Sequence, residues 1–180
     1  STVGGLPGAN IEQVVCRFTE ESVDATLLER AWRATQADHE VLRTSVDLEH
    51  PDGPVQHVHE GGALQLELPD WSALEASQQE RALEDWLSDD RERGVDLTDP
   101  DAMRVTVMVL GPHRSVMVWT FHHALLDGRS FGVVLEEVLA RYDELGESGT
   151  MAPRDRRPPF RDHVEAVAGA DDAAAKAFFS

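Results

Sequence analysis

Two adjacent histidines at the joint between an apolar strand and a helix constrain this chain more than any other feature. Residues 122–128 read His122-His123-Ala124-Leu125-Leu126-Asp127-Gly128. Ahead of them, Ser115 to Phe121 is a β-branched and aromatic run of strand length with no Gly or Pro inside it. Behind them, Phe131, Val134, Leu135, Val138 and Leu139 recur at helical spacing. Successive side chains on a strand point to opposite faces. A strand that holds to its end therefore places His122 with Val116, Val118 and Thr120, and His123 with Met117, Trp119 and Phe121. One ring is held in the structure and the other is free to be presented to a substrate.

The chain of 180 residues is sized for one domain with a real core, and 41% hydrophobic content suits a globular fold. A formal net charge of −18 argues against nucleic acid as a partner, because phosphate binding needs a basic surface. No apolar stretch approaches the roughly 20 residues of a membrane-spanning helix, and the N-terminus lacks a charged-then-apolar leader, so a cytoplasmic, membrane-free protein is expected. The single cysteine, Cys16, permits no intramolecular disulfide and no Cys-based metal site. Its place beside Val14 and Phe18 on one side of a strand favours a small buried residue over a nucleophile.

Residues 1–10 are Gly- and Pro-rich and read as a flexible lead-in. Ile11 to Phe18 reads as a strand. Asp24 is placed to cap a helix running to about Ala37, with Leu27, Leu28, Ala31, Ala34 and Thr35 on its inner stripe and Trp32 extending it. His39 to Thr44 leads into a strand in which Leu42, Thr44, Val46 and Leu48 alternate with polar residues. Pro51-Asp52-Gly53-Pro54 is a turn, followed by short strands at Val55 to His59 and Leu64 to Leu68. Ser77 to about Arg91 reads as a helix whose face of Glu80, Glu84 and Asp85 is solvated. Met103 to Leu110 and Ser115 to Phe121 form an antiparallel hairpin candidate. The helix after Gly128 is expected to end near Leu145, with Gly146 at its C-terminal cap. Thr150 to Pro159 reads as a connector and Phe160 to Ser180 as helical. The pattern predicts an α/β (α+β) sandwich, a mixed and largely antiparallel sheet with packed helices.

The heptapeptide resembles the His-His-x-x-x-Asp-Gly signature of the condensation domains of nonribosomal peptide synthetases, which belong with the chloramphenicol acetyltransferase-like acyltransferases. His39-Glu40-Val41-Leu42-Arg43-Thr44 resembles a second motif of that family, with Asp38 standing where the family usually has Arg. Gly53-Pro54-Val55-Gln56, the Asp96-Leu97 pair and Met103-Arg104 are looser matches. The resemblance implies that residues 11–180 are the N-terminal lobe of a condensation domain, with the second lobe absent from this stretch and Ala173 to Phe179 leading toward it. It implies no directly bound cofactor. Substrates would arrive on the phosphopantetheine arms of donor and acceptor peptidyl or aryl carrier proteins.

In the reaction so implied, an amine attacks a thioester to give an amide and a thiol. The amine must lose a proton, an oxyanion must be stabilised, and two arms must be aligned. The family pattern points to His123 for the proton, as general base or positioning group, while Gly128, at a helix start where free N–H groups point outward, suits the backbone geometry and the oxyanion. It gives His122, Asp127 and Arg43 supporting roles, with Asp127 and Arg43 forming a buried ion pair that holds the loop. Ser130 reads as a helix-terminal cap rather than a nucleophile. Other readings stand beside this one. They are an ester-forming acyltransferase or epimerisation domain of the same fold, a non-catalytic lobe that docks carriers, and a metal site of His122, His123 and Asp127 with His57 and His59 nearby. The metal reading is disfavoured because adjacent strand histidines diverge. Arg154, Arg156, Arg157 and Arg161 form a basic cluster that reads as a solvated linker before it reads as a phosphate or carrier site.

Overall fold

The strand that leads into the two histidines is an interior strand of a sheet, and the rest of the fold is layered on it. A computed structural model describes residues 10–20, 22–62, 64–154 and 161–162. Within them run β1 (Ile11–Phe18), α1 (Ala25–Asp38), a 3-10 turn (Glu40–Arg43), β2 (Thr44–Asp47), β3 (Val55–Val58), β4 (Leu66–Glu67), α2 (Ala76–Arg93), β5 (Met103–Gly111), β6 (Arg114–His122) and α3 (Ser130–Ser148). The main sheet has the order β1-β6-β5-β4. Its β1/β6 and β6/β5 pairs are antiparallel and its β5/β4 pair is parallel. β2 and β3 form a separate antiparallel pair. This is the mixed, largely antiparallel α/β arrangement that the pattern predicts. The expected lead-in, the end of the connector and the helix beyond Phe160 lie, but for residues 10, 161 and 162, outside the described residues.

Strand alternation sorts the core into two layers. Met103, Val105, Val107, Met117, Trp119 and Phe121 pack against Leu28, Ala31 and Trp32 of α1 and Val134, Val138 and Leu145 of α3. On the other face, Met108, Leu110, Val116 and Val118 meet Leu83, Trp86 and Leu87 of α2. Because helices cover both faces, β6 is apolar nearly throughout. An aromatic series runs along the α1/α3 side: Trp32 meets Trp119 edge-on at 4.9 Å, Trp119 meets Phe121 at 4.5 Å, and Phe121 meets Phe131 at 6.3 Å. The last contact joins the end of β6 to the first turn of α3, across the histidine motif.

Helix ends follow local chemistry. Asp24 caps α1 by accepting from the N–H groups of Thr26 and Leu27, at 2.9 and 3.1 Å. Glu75 and Gln78 make a reciprocal capping box at the start of α2. At the other end of α3 the expected Gly146 cap is replaced. Gly146 lies inside the helix, and Gly149, at φ 73°, turns the chain and donates its N–H to the Leu145 carbonyl. The segment after His39 also departs from expectation: Glu40–Arg43 winds as a 3-10 turn before a shorter strand, and Leu48 is exposed.

A buried polar hub of the fold is Asp90, on α2. Its side chain is 3% exposed and faces the sheet. It accepts from Gln13 of β1 at 2.8 Å, from Thr120 of β6 at 2.6 Å, and from Arg104 of β5 at 2.7 and 3.0 Å. Removing a partner from a buried ion pair leaves the other charge without compensation. Asp90→Ala is therefore expected to lower unfolding free energy by about 3–5 kcal/mol, measured by urea denaturation.

Candidate functional site

β6 ends at His122, and the chain turns through residues 123–125 before α3 begins. The side chain of Leu126 is buried in the α1/α3 core, which anchors the turn from below. The two histidines part as alternation requires. His122 accepts the Ala124 N–H on its Nδ1 at 3.0 Å, while its carbonyl accepts from the Leu125 N–H at 3.0 Å. An accepting Nδ1 places the ring proton on Nε2. Partial burial, and after it the neighbouring His123, push the His122 imidazole pKa down. His122 is thus a neutral ring built into the turn.

His123 is held by its backbone and presented by its side chain. Its N–H donates to the Asn10 carbonyl at 2.7 Å, which extends the β1/β6 pairing one residue past the strand. The imidazole is 52% exposed, with Nδ1 at 3.8 Å from a carboxylate oxygen of Glu12.

Asp127 and Arg43 are not brought together, contrary to the expected buried pair. Asp127 is exposed and caps α3, accepting from the Ser130 hydroxyl at 2.7 Å and from the N–H groups of Ser130 and Arg129 at 2.8 and 3.1 Å. The Ser130 hydroxyl first, and then those N–H groups, hold its carboxyl below the usual carboxylate range. Arg43 instead reaches the carbonyls of Ala37 and His59. The physical reason is local: three donors lie within three residues of Asp127, whereas Arg43 sits at the end of the 3-10 turn beside β3. Ser130 is partner to the cap.

Gly128 lies in the exposed turn, and a Cβ there would meet open space. The N–H groups of Arg129 and Ser130 are taken by Asp127, whereas among the described residues those of Leu126, Asp127 and Gly128 have no partner.

The second motif does its work on the helix layer. His39 donates from Nε2 to Glu137 of α3 at 2.9 Å, and Glu137 accepts from Arg141 at 2.7 Å. Arg141 also binds Asp38, the residue at which this chain departs from the family pattern. Sequence reasoning missed Glu137 and Arg141, although their spacing on an apolar helix face was a signal. Arg154 is paired with Glu144 at 3.1 Å and approaches Glu137 at 3.8 Å, so it belongs to this cluster. Arg156 and Arg157 lie outside the described residues. Cys16 packs against the core and burial pushes its thiol pKa up, which keeps it a thiol. Ser45, not His123, is the partner of His59, at 2.8 Å. Among the described residues no cluster of three His, Cys, Asp or Glu side chains is placed to hold a metal ion, and no helix is long and apolar enough to cross a membrane. A recess of about 320 Å³ opens at the β5–β6 turn, bordered by Val23, Val107, Val109, Arg114 and Ser115. It lies at the other end of β6 from the histidines.

The arrangement sets a half-exposed imidazole at the end of an interior strand, beside an open glycine turn, and such a ring can accept or orient a proton. Known proteins share this arrangement of strand, turn and helix. The condensation-domain family model matches residues 8–178, and the chain belongs to that family. It is 32% identical over 157 residues to a linear gramicidin synthase protein of Brevibacillus parabrevis, covering 87% of this chain and only 2% of that much longer relative. Among solved structures, the starter condensation domain of rhizomide synthetase aligns with a TM-score of 0.77 at 20% identity, over 90% of this chain and 38% of that one. The first condensation domain of the calcium-dependent antibiotic synthetase, in complex with a substrate analogue, aligns with a TM-score of 0.78 at 20% identity, over 92% and 40%. The fold is that of these domains.

The capping geometry implies that Asp127→Ala yields a folded protein that loses less melting temperature than Asp90→Ala. Thermal melting followed by circular dichroism checks this, and equal losses would point back to a buried pair. The depressed His122 pKa carries a pH signature. As pH falls, the unfolded chain takes up this proton before the folded one, so the stability tied to a neutral His122 is full above the ordinary imidazole pKa and is lost below it. Between about pH 7.5 and 5.5, wild type should lose more melting temperature than His122→Asn, which keeps an acceptor for Ala124 but does not titrate.

Proposed function

We propose that this chain is the first lobe of a condensation domain in a nonribosomal peptide synthetase, and that it contributes the proton-handling half of an amide-forming acyl transfer. The observation that carries this reading is the division between the two rings: His122 is locked into the turn, whereas His123 is pinned by its backbone and leaves its ring facing outward. Membership of the family supports it, as does the share of about two fifths of the solved condensation domains that this chain spans. The remaining lobe would come from the rest of the protein, and the substrates from donor and acceptor carrier proteins.

The acceptor amine attacks the thioester carbonyl of the donor. An N–C bond forms and the C–S bond breaks; the amine gives up one proton and the departing thiolate takes one, leaving an amide and a thiol. His123 receives or orients the proton of the amine. The Gly128 N–H is a candidate donor to the developing oxyanion, and the missing Cβ lets a substrate approach the turn closely. A thioester is already activated, so alignment of the two arms supplies much of the acceleration. Asp127 and His122 act by fixing the turn, and Arg43 by fastening the end of the 3-10 turn to β3.

The test uses the full-length protein with loaded donor and acceptor carriers, followed by intact mass spectrometry. His123→Ala is expected to lower product formation by about 10²–10⁴-fold. Full activity in the variant would overturn the assignment.

A further inference from the structure

We propose that Glu12 is a positioning residue for His123, holding the imidazole in the tautomer that leaves Nε2 free to take the proton of the acceptor amine. This deepens, and rests on, the reading that His123 handles that proton. The placement of Glu12 follows from strand register. β1 and β6 pair Glu12 with Phe121 and Ile11 with His122, and the Asn10–His123 backbone hydrogen bond continues the ladder. In that register Glu12 and His123 are diagonal neighbours on the same side of the sheet, within reach of long side chains. The backbone ahead of Glu12 is also set: Asn10, at φ 65°, is the one non-glycine residue with positive φ among the described residues. Asn tolerates this left-handed conformation, and here it aims the Asn10 carbonyl at the His123 N–H.

Nδ1 is the ring nitrogen within ion-pair distance of the carboxylate, 3.8 Å from Oε1. At that separation the contact is an electrostatic one rather than a hydrogen bond. An ionised carboxylate only accepts, so its field favours the ring form with hydrogen on Nδ1 and a lone pair on Nε2. The other groups of the turn do not compete for this role. The His122 ring is engaged by Ala124, and the Asp127 carboxylate is turned to Ser130 and Arg129. Among the described residues, Glu12 is the carboxylate in ion-pair contact with His123.

Glu12 is itself 53% exposed, so its replacement should leave the fold intact, and exposed ion pairs contribute little to stability. The test therefore reads chemistry. In the full-length protein, with loaded carriers and single-turnover kinetics, four variants are compared: Glu12→Ala, Glu12→Gln, His123→Ala and the Glu12→Ala/His123→Ala pair. Glu12→Ala is expected to lower turnover by about fivefold or more without changing the half-saturating concentration of the acceptor carrier or the melting temperature. Glu12→Gln, which keeps an acceptor oxygen but not the charge, should recover part of the loss. In the double variant Glu12→Ala should add nothing to His123→Ala, because its effect passes through that ring. Wild-type turnover in Glu12→Ala, a loss matched by a fall in melting temperature, or an added loss in the double variant would each overturn the role of Glu12. Full turnover in His123→Ala would instead overturn the proton-handling reading on which it rests.

Discussion

The position of the histidine turn depends on β6 being paired along both edges. An interior strand with both faces buried cannot slip by one residue, because a slip would exchange its faces. It would turn Met117, Trp119 and Phe121 away from α1 and α3 and carry Thr120 away from Asp90. Asp90 enforces the same register from the α2 side, since one carboxylate binds residues on β1, β6 and β5 at once. These three strands are neighbours in the sheet, although β1 is distant from the other two in sequence. The two histidines stand where they do because the strand beneath them has no alternative register.

The helix layer is fixed by a different device. Glu137 and Arg141 of α3 are nearly buried, and each charge is met by partners from the end of α1: His39 for Glu137, and Asp38 for Arg141. Buried charges of this kind are weak evidence for net stability but are costly when mismatched, so they specify how two helices meet. Asp38 is the informative member. It stands at the position where this chain departs from the family pattern, and its negative charge answers Arg141. The exchange is a local matching of charges rather than a loss of the motif.

Much of this was legible from pattern. The β5/β6 hairpin, the cap by Asp24, the divergence of the histidines and the layered fold all follow from alternation, capping chemistry and helical spacing. What could not be read needed three dimensions. Asp90 shares the helical stripe of Leu83, Trp86 and Leu87, unlike the exposed Glu84 and Asp85, but the stripe alone does not name the partners that a buried carboxylate there would meet. Only the arrival of Gln13, Thr120 and Arg104 makes it a buried hub. The Arg43–Asp127 pair failed for the opposite reason, because short-range donors in Ser130 and Arg129 satisfied the carboxylate first. Gly146 was the expected cap of α3, but the helix runs on past it and ends at Gly149, whose N–H donates to the Leu145 carbonyl.

The contrast between His122 and His123 shows how one residue type acquires two environments from its surroundings. His122 lies on the α2 side of the strand, where the turn supplies an N–H to its Nδ1 and burial disfavours a charge, so the ring stays neutral and fixed. His123 lies one residue further, past the last paired position of the strand. Its backbone is tied to Asn10, and its half-exposed ring meets a carboxylate instead of apolar side chains. Helices cover both faces of the sheet, so the strand ends are where polar chemistry can face outward at no cost to the core. The exposed ring of His123 and the open turn at Gly128 both stand at that end. The sheet thus provides the rigidity, and its boundary leaves polar groups facing outward.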